Sequence, residues 1–236
     1  AIGYKALHLS TTSSHNTATG YHALQANTTG ASNTAVGSFA LTTTQTVDNC
    51  TAVGYQALEL NVTANNSAFG KDALFKNTTG SEGVAVGSQA LDANTTGNHN
   101  VAVGHAALSL NTTTHDNTAV GTAAMLKNIA ADGVAVGTDA MRENTTGAGN
   151  TAVGKDALKG NSTGAACVAI GKDALLVSNA NNNTAVGESS MEANTTGVGN
   201  TAVGRGSLTA NTTGARNIAI GHSSLDANTT ANDNIA

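Results

Sequence analysis

The sequence predicts an all-β protein, a parallel β-solenoid of 14 turns with 16–17 residues and two short strands per turn. Three observations lead there. A glycine after Ala-Val or a variant of it recurs at Gly3, Gly20, Gly37, Gly54, Gly70, Gly87, Gly104, Gly121, Gly137, Gly154, Gly171, Gly187, Gly204 and Gly221. The steps are 17 residues apart from three of 16, and no linker interrupts them. The residues before each glycine alternate between large and small, the period of a strand. Turn chemistry separates the alternating stretches, with Asn-Thr-Thr-Gly at 27–30, 94–97 and 194–197.

Positions are counted here from the repeating glycine. At −3 stand β-branched residues or Ser, such as Thr34, Val84 and Ile218, and at −2 always Ala. At −1 the residue is large and apolar, with Thr19 the exception. This predicts a first strand with −3 and −1 inward and Ala outward. Leu or Met always occupies +4, after Ala or Ser at +3, which predicts a second strand. The inward ladder expected is Val36, Val53, Val103, Val153 and Val203 with Leu58, Leu108, Leu158 and Leu208. The outward column expected is Ala35, Ala52, Ala85, Ala102, Ala119, Ala152 and Ala202, read as a close-packed contact between chains. The turns use Asn and Gly, which tolerate positive φ at low cost. In the three short units the missing residue falls between +7 and −4, a turn, so strand register is kept.

A unit of this length cannot fold alone. Stacked units share one core and add a strand per turn. At about 4.8 Å per strand, the array would extend about 65 Å as a single domain over residues 1–236. The chain opens at Ala1-Ile2-Gly3 and closes at Ile235-Ala236, inside a repeat at both places, which suggests a segment of a longer fibrous protein.

Composition narrows the function. There are 27 Gly, no Pro, no Trp and 3% aromatic residues, unlike an ordinary globule. The net charge of −5 supplies no basic stripe for nucleic acid or anionic membrane. No apolar run approaches the roughly 18 residues of a membrane span, and no signal peptide opens this segment. So lean an interior buries little area, and self-association is the natural supplement.

The motif Asn-Thr-Ala-Val-Gly-x-x-Ala-Leu and residues 217–224, Asn-Ile-Ala-Ile-Gly-His-Ser-Ser, resemble the head repeats of trimeric autotransporter adhesins, the YadA-like family. Phage tail-fibre shaft repeats are similar too. The resemblance covers all the turns. It implies a left-handed parallel β-roll, three chains side by side and attachment at a surface. This chain departs from it in a longer unit and in its regular Asn-Thr-Thr-Gly turn.

No catalytic constellation stands out, so an enzyme is not expected, nor is a cofactor. The histidines occupy different columns. Asp72, Asp139, Asp156 and Asp173 recur at +2, with Lys before three of them; a solvated ion-paired face is the expectation and a weak cation site the alternative. Cys50 and Cys167 both stand at −4, seven turns apart, beyond disulfide reach within one chain. The Asn-x-Ser/Thr signals are mostly the repeat's own turn; Asn94 and Asn194 are the glycosylation candidates. Ice binding by threonine arrays is a remote alternative, since adjacent Thr-Thr side chains diverge.

The sequence therefore points to a structural rod of an extracellular or cell-surface fibre or filament, with an adhesin-type role toward a host or matrix surface. A phage tail-fibre shaft is the alternative. The partner expected is the chain itself, side by side and end to end.

Overall fold

A computed structural model describes residues 1–236 as two compact units, 1–117 and 118–236. The first contains β1 (Thr17–Thr19), β2 (Thr34–Val36), β3 (Thr51–Val53), β4 (Ser67–Phe69), β5 (Val84–Val86) and β6 (Val101–Val103). The second contains β7 (Thr118–Val120), β8 (Val134–Val136), β9 (Thr151–Val153), β10 (Val168–Ile170), β11 (Thr184–Val186), β12 (Thr201–Val203) and β13 (Ile218–Ile220). Within each unit every strand pairs in parallel with the next, one turn on. Ile2 and Ile235 add isolated parallel bridges to Thr19 and Ile218. There is no helix, so none crosses a membrane. The chain is an all-β parallel solenoid.

Register follows the repeat through its shortened units. Thr51 pairs with Ser67, Thr118 with Val134 and Val168 with Thr184, each across a 16-residue step. The deleted residue costs no slip, because the turn absorbs it and a slip would invert every side chain.

The expectation of two strands per turn is corrected to one. The second arm, from the glycine to +4, is not extended. In one turn Gly154 has φ 137°, Asp156 φ 60° and Leu158 φ 50°. Left-handed residues at +2 and +4 turn the chain back sharply, in place of a pleated strand. The arm still bonds to its neighbours: Leu158 N–H donates to Ala174 O at 3.0 Å, and Asp173 N–H to Lys155 O at 3.1 Å. Both arms are thus tied turn to turn, although only one is a sheet.

The strand faces the opposite way from the expectation. Ala35, Ala52, Ala85, Ala102, Ala119, Ala152 and Ala202 are fully buried, so this column is interior and not a contact face. Val36 and Val203 are exposed, and Val53, Val103 and Val153 half-buried, so the valine ladder is outward. Leu58, Leu108, Leu158 and Leu208 are buried. The reason is the narrow gap between the arms. Ser190 at +3 reaches Ala202 O at 3.2 Å, which sets the +3 residue against the strand of the next turn. Only methyl- or hydroxymethyl-sized groups fit on both sides of such a gap, so Ala or Ser faces Ala and the β-branched residues point out.

Two asparagine columns complete the interior. At +7, Asn94 Nδ2 donates to Asn77 Oδ1 at 2.8 Å, and Asn211 Nδ2 to Asn194 Oδ1 at 2.9 Å. At −4, the backbone amide donates to the previous side chain: Asn200 N–H to Asn183 Oδ1 and Asn217 N–H to Asn200 Oδ1, both 2.9 Å. These asparagines do not use the positive φ expected of turn residues. They carry hydrogen bonds through a core too thin to be apolar throughout, where an unpaired polar group would be costly.

Candidate functional site

The surface holds no pocket, and no group of three or more His, Cys, Asp or Glu side chains is placed to hold a metal ion. What the fold builds instead is a set of outward columns. Each is one position of the repeat, copied along the unit.

The most uniform outward column pair is the sheet face at −3 and −1. Every side chain there, from Thr17 and Thr19 to Ile218 and Ile220, is half-buried or exposed, and none carries a charge. Phe69 and Ile170 are exposed large apolar side chains on it. Strand propensity explains the residue choice, since β-branched residues suit a pleated surface. Exposure of whole rows does not follow from propensity.

The neighbouring columns are charged and variable. Lys159 Nζ lies 2.8 Å from Asp156 Oδ1 and 3.4 Å from Asp139 Oδ2, bridging carboxylates on successive turns. Lys155 adds a contact of 3.5 Å to Asp156. Burial pushes the Asp156 carboxyl up, but the hydrogen bond from Lys159 and the charges of Lys159 and Lys155 outweigh it and hold the group below the usual range. Asp156 in turn raises Lys159. The +2 aspartates Asp139 and Asp156 therefore already have a cation of the chain itself. Asp72 and Asp173 pair with Lys71 and Lys172 before them, at 3.5 and 3.1 Å.

On the first unit, Tyr4, Tyr21, His22, Phe39 and Tyr55 form a strip over four turns. The Tyr4 and Tyr21 rings stack at 5.4 Å, and Phe39 and Tyr55 meet edge-on at 6.2 Å. The rings cover one another's faces, which stabilises the turns that carry them. Elsewhere on this unit His99 and His115 converge on Asp116, at 3.1 and 2.6 Å. The bond from His115 lowers the Asp116 carboxyl; desolvation opposes it, and the bond from His99 with the charges of both histidines keeps the net shift downward.

The asparagine candidates for glycosylation are corrected. Asn94 and Asn194 are buried, and their Nδ2 protons are committed within the chain. Asn94 donates to Asn77 Oδ1 and to Gly97 O at 3.0 Å; Asn194 donates to Ser178 Oγ at 3.2 Å and to Gly197 O at 3.0 Å. A sugar on either nitrogen would replace a core hydrogen bond and has no room. Cys50 and Cys167 are also interior and free. Burial pushes both thiols up, which keeps them protonated and unreactive. Their Sγ atoms lie 3.3 Å from Thr63 O and 3.1 Å from Ala180 O, carbonyls of the turn.

The sequence held a signal for the true inside and outside. The two columns that face each other across the gap are uniform in size: −2 is always Ala, and +3 always Ala or Ser. The −1 column ranges from Thr19 to Phe69, which no gap of fixed width could accommodate.

No known protein family, curated protein or solved structure matches the chain.

Proposed function

We propose that this chain is a structural rod of an extracellular or cell-surface fibre, a spacer whose variable outward columns serve an adhesin-type attachment. The observation that carries the reading is the turn-to-turn bonding of both arms around an interior whose large side chains are confined to one Leu-or-Met column. Such a chain changes its length by whole turns and its surface by single residues, without rebuilding a core. Exposed positions such as Tyr55, Lys71, His105 and Arg205 differ from turn to turn far more than the interior columns, where Ala stays at −2, Ala or Ser at +3 and Leu or Met at +4. This is the division of labour expected of a scaffold that presents contacts along its length.

Removing residues 155–204 excises three whole turns and tests the rod. The reading predicts a folded protein with unchanged β spectrum, shortened by about 14 Å in small-angle scattering. An unfolded product would point to a unique central element and against a modular spacer. The attachment role is tested separately. Serine at the exposed +1 residues should abolish adhesion of coated beads to a matrix surface without altering the fold. Unchanged adhesion would leave a spacer alone, the role of a phage tail-fibre shaft.

A further inference from the structure

We infer that the outer face of the second unit's strands, at −3 and −1, binds ice. All fourteen outward side chains of β7 to β13 are Thr, Val or Ile. Each is therefore β-branched and stiff at χ1. Every one is half-buried or exposed, and none is ionised. The backbone beneath keeps one spacing: the amides of Val134, Thr151, Val168, Thr184 and Thr201 each donate to a carbonyl of the next turn at 2.9 Å. Methyls and hydroxyls thus stand on a rectangular net, about 4.8 Å from turn to turn and about 6.6 Å between the two rows. Hexagonal ice repeats its oxygens at closely similar spacings along its a and c axes, the net of a prism plane. Seven turns of three residues at strand spacing make roughly 330 Å², the size of a functional apolar patch.

The hydroxyls on this net are free for lattice water. Those of Thr118, Thr151, Thr184 and Thr201 make no hydrogen bond within the chain. The turn threonines differ: Thr145, Thr195 and Thr212 donate to Ser162 O, Thr212 O and Thr229 O at 2.7, 3.0 and 3.0 Å. The ice-facing array therefore lies in the strands and not in Asn-Thr-Thr-Gly. A water lattice also suits the face better than other occupants. Protein partners are held by aromatic or arginine anchors seated in pockets, and small ligands by concave sites. The second unit has no aromatic residue, its strands carry no arginine, and the surface has no pocket. An ice plane gains instead from many identical contacts, to which stiff side chains lose little rotamer freedom. Val and Ile add methyls between the hydroxyls, and their removal from liquid water is favourable. In the first unit the Phe69 ring interrupts the −1 row, so the assignment is to the second. The inference stands apart from the attachment role, which uses the +1 residues.

Nanolitre osmometry of the whole chain, with uptake into a growing ice hemisphere, tests this. The wild type should show thermal hysteresis, shape the crystals and enter the ice. Val153→Lys with Thr184→Lys should abolish all three with unchanged circular dichroism. Val186→Phe should do the same without adding charge. Phe69 holds that column in β4 and pairs in register, so the fold accepts the ring. Thr196→Lys, at the exposed second threonine of a turn, should change nothing. A wild type without hysteresis and excluded from ice would overturn the inference, whether monomeric or self-associated. So would hysteresis that survives Val153→Lys with Thr184→Lys. Loss in Thr196→Lys alone would move the site to the turns and overturn the strand face.

Discussion

Asn161 Nδ2 donates to Asn144 Oδ1 at 3.0 Å, one turn back, and to Gly164 O at 2.9 Å, while the Gly164 amide donates to Asn161 Oδ1 at 2.9 Å. One buried side chain thus closes its own turn and ties it to the one before. Asn161→Ala should leave the Gly164 amide and carbonyl without these partners and destabilise the protein by about 1–3 kcal/mol. Urea denaturation measures it. A change under about 0.5 kcal/mol would mean that water replaces the ladder.

The first unit shows what happens where the ladder fails. The +7 residue after Asn27 is Thr44, which donates its hydroxyl to Asn61 O at 3.0 Å, and Asn27 Oδ1 is buried with no hydrogen-bond partner. Thr44→Asn should supply the missing donor, as Asn94 does for Asn77, and stabilise the unit by about 1 kcal/mol. Urea denaturation with hydrogen exchange of the first unit checks it; slower exchange around Asn27 is expected. Destabilisation would show that Thr44 is needed where it stands.

Glycine is required at the repeat position for two reasons at once. Gly154 has φ 137°, and a Cβ there would lie 2.5 Å from Gly171 O. Gly149 has φ 66° and open space around the added atom. Gly154→Ala should therefore cost about 3 kcal/mol or more and Gly149→Ala about 1 kcal/mol. Thermal unfolding of the two variants compares them directly. Equal costs would mean that backbone conformation alone matters.

Much of this was legible in the sequence. The period gave the stacked turns, and the placement of the missing residues in turns gave the register of Ser67, Val134 and Thr184. What could not be read was the width of the gap between the arms. Alternation of large and small is the same pattern whether the large or the small residue points inward. Hydrophobicity favoured Val153 inside; the approach of Ser190 to Ala202 put Ala inside. Burial of the Asn columns was hidden likewise, because Asn-Thr-Thr-Gly is a surface turn in most chains. Here Gly97 has no room for a Cβ, which would meet Thr114 O at 2.2 Å, so the turn is packed against its neighbour.

The Asp156–Lys159 pair gives a pH window with a defined sign. The carboxyl is held below its ordinary 3.8, so its contribution is present above that value and lost as pH falls through the lowered one. The ammonium is raised above its ordinary 10.5, so its contribution is present below that value and lost as pH rises through the raised one. Asp156→Asn should flatten the acid limb of the unfolding midpoint against pH and leave the neutral fold intact. An unchanged acid limb would mean that the pair is solvated and idle.

The most direct test of the inside-out strand is the pair Ala152→Leu and Val153→Leu. Ala152 is fully buried and Val153 half-buried on the outer face. Overpacking at Ala152 should cost about 3 kcal/mol, whereas enlarging Val153 should cost under about 0.5 kcal/mol. Urea denaturation of both variants gives the answer. A large loss at Val153 with Ala152 tolerant would return valine to the core and contradict the account.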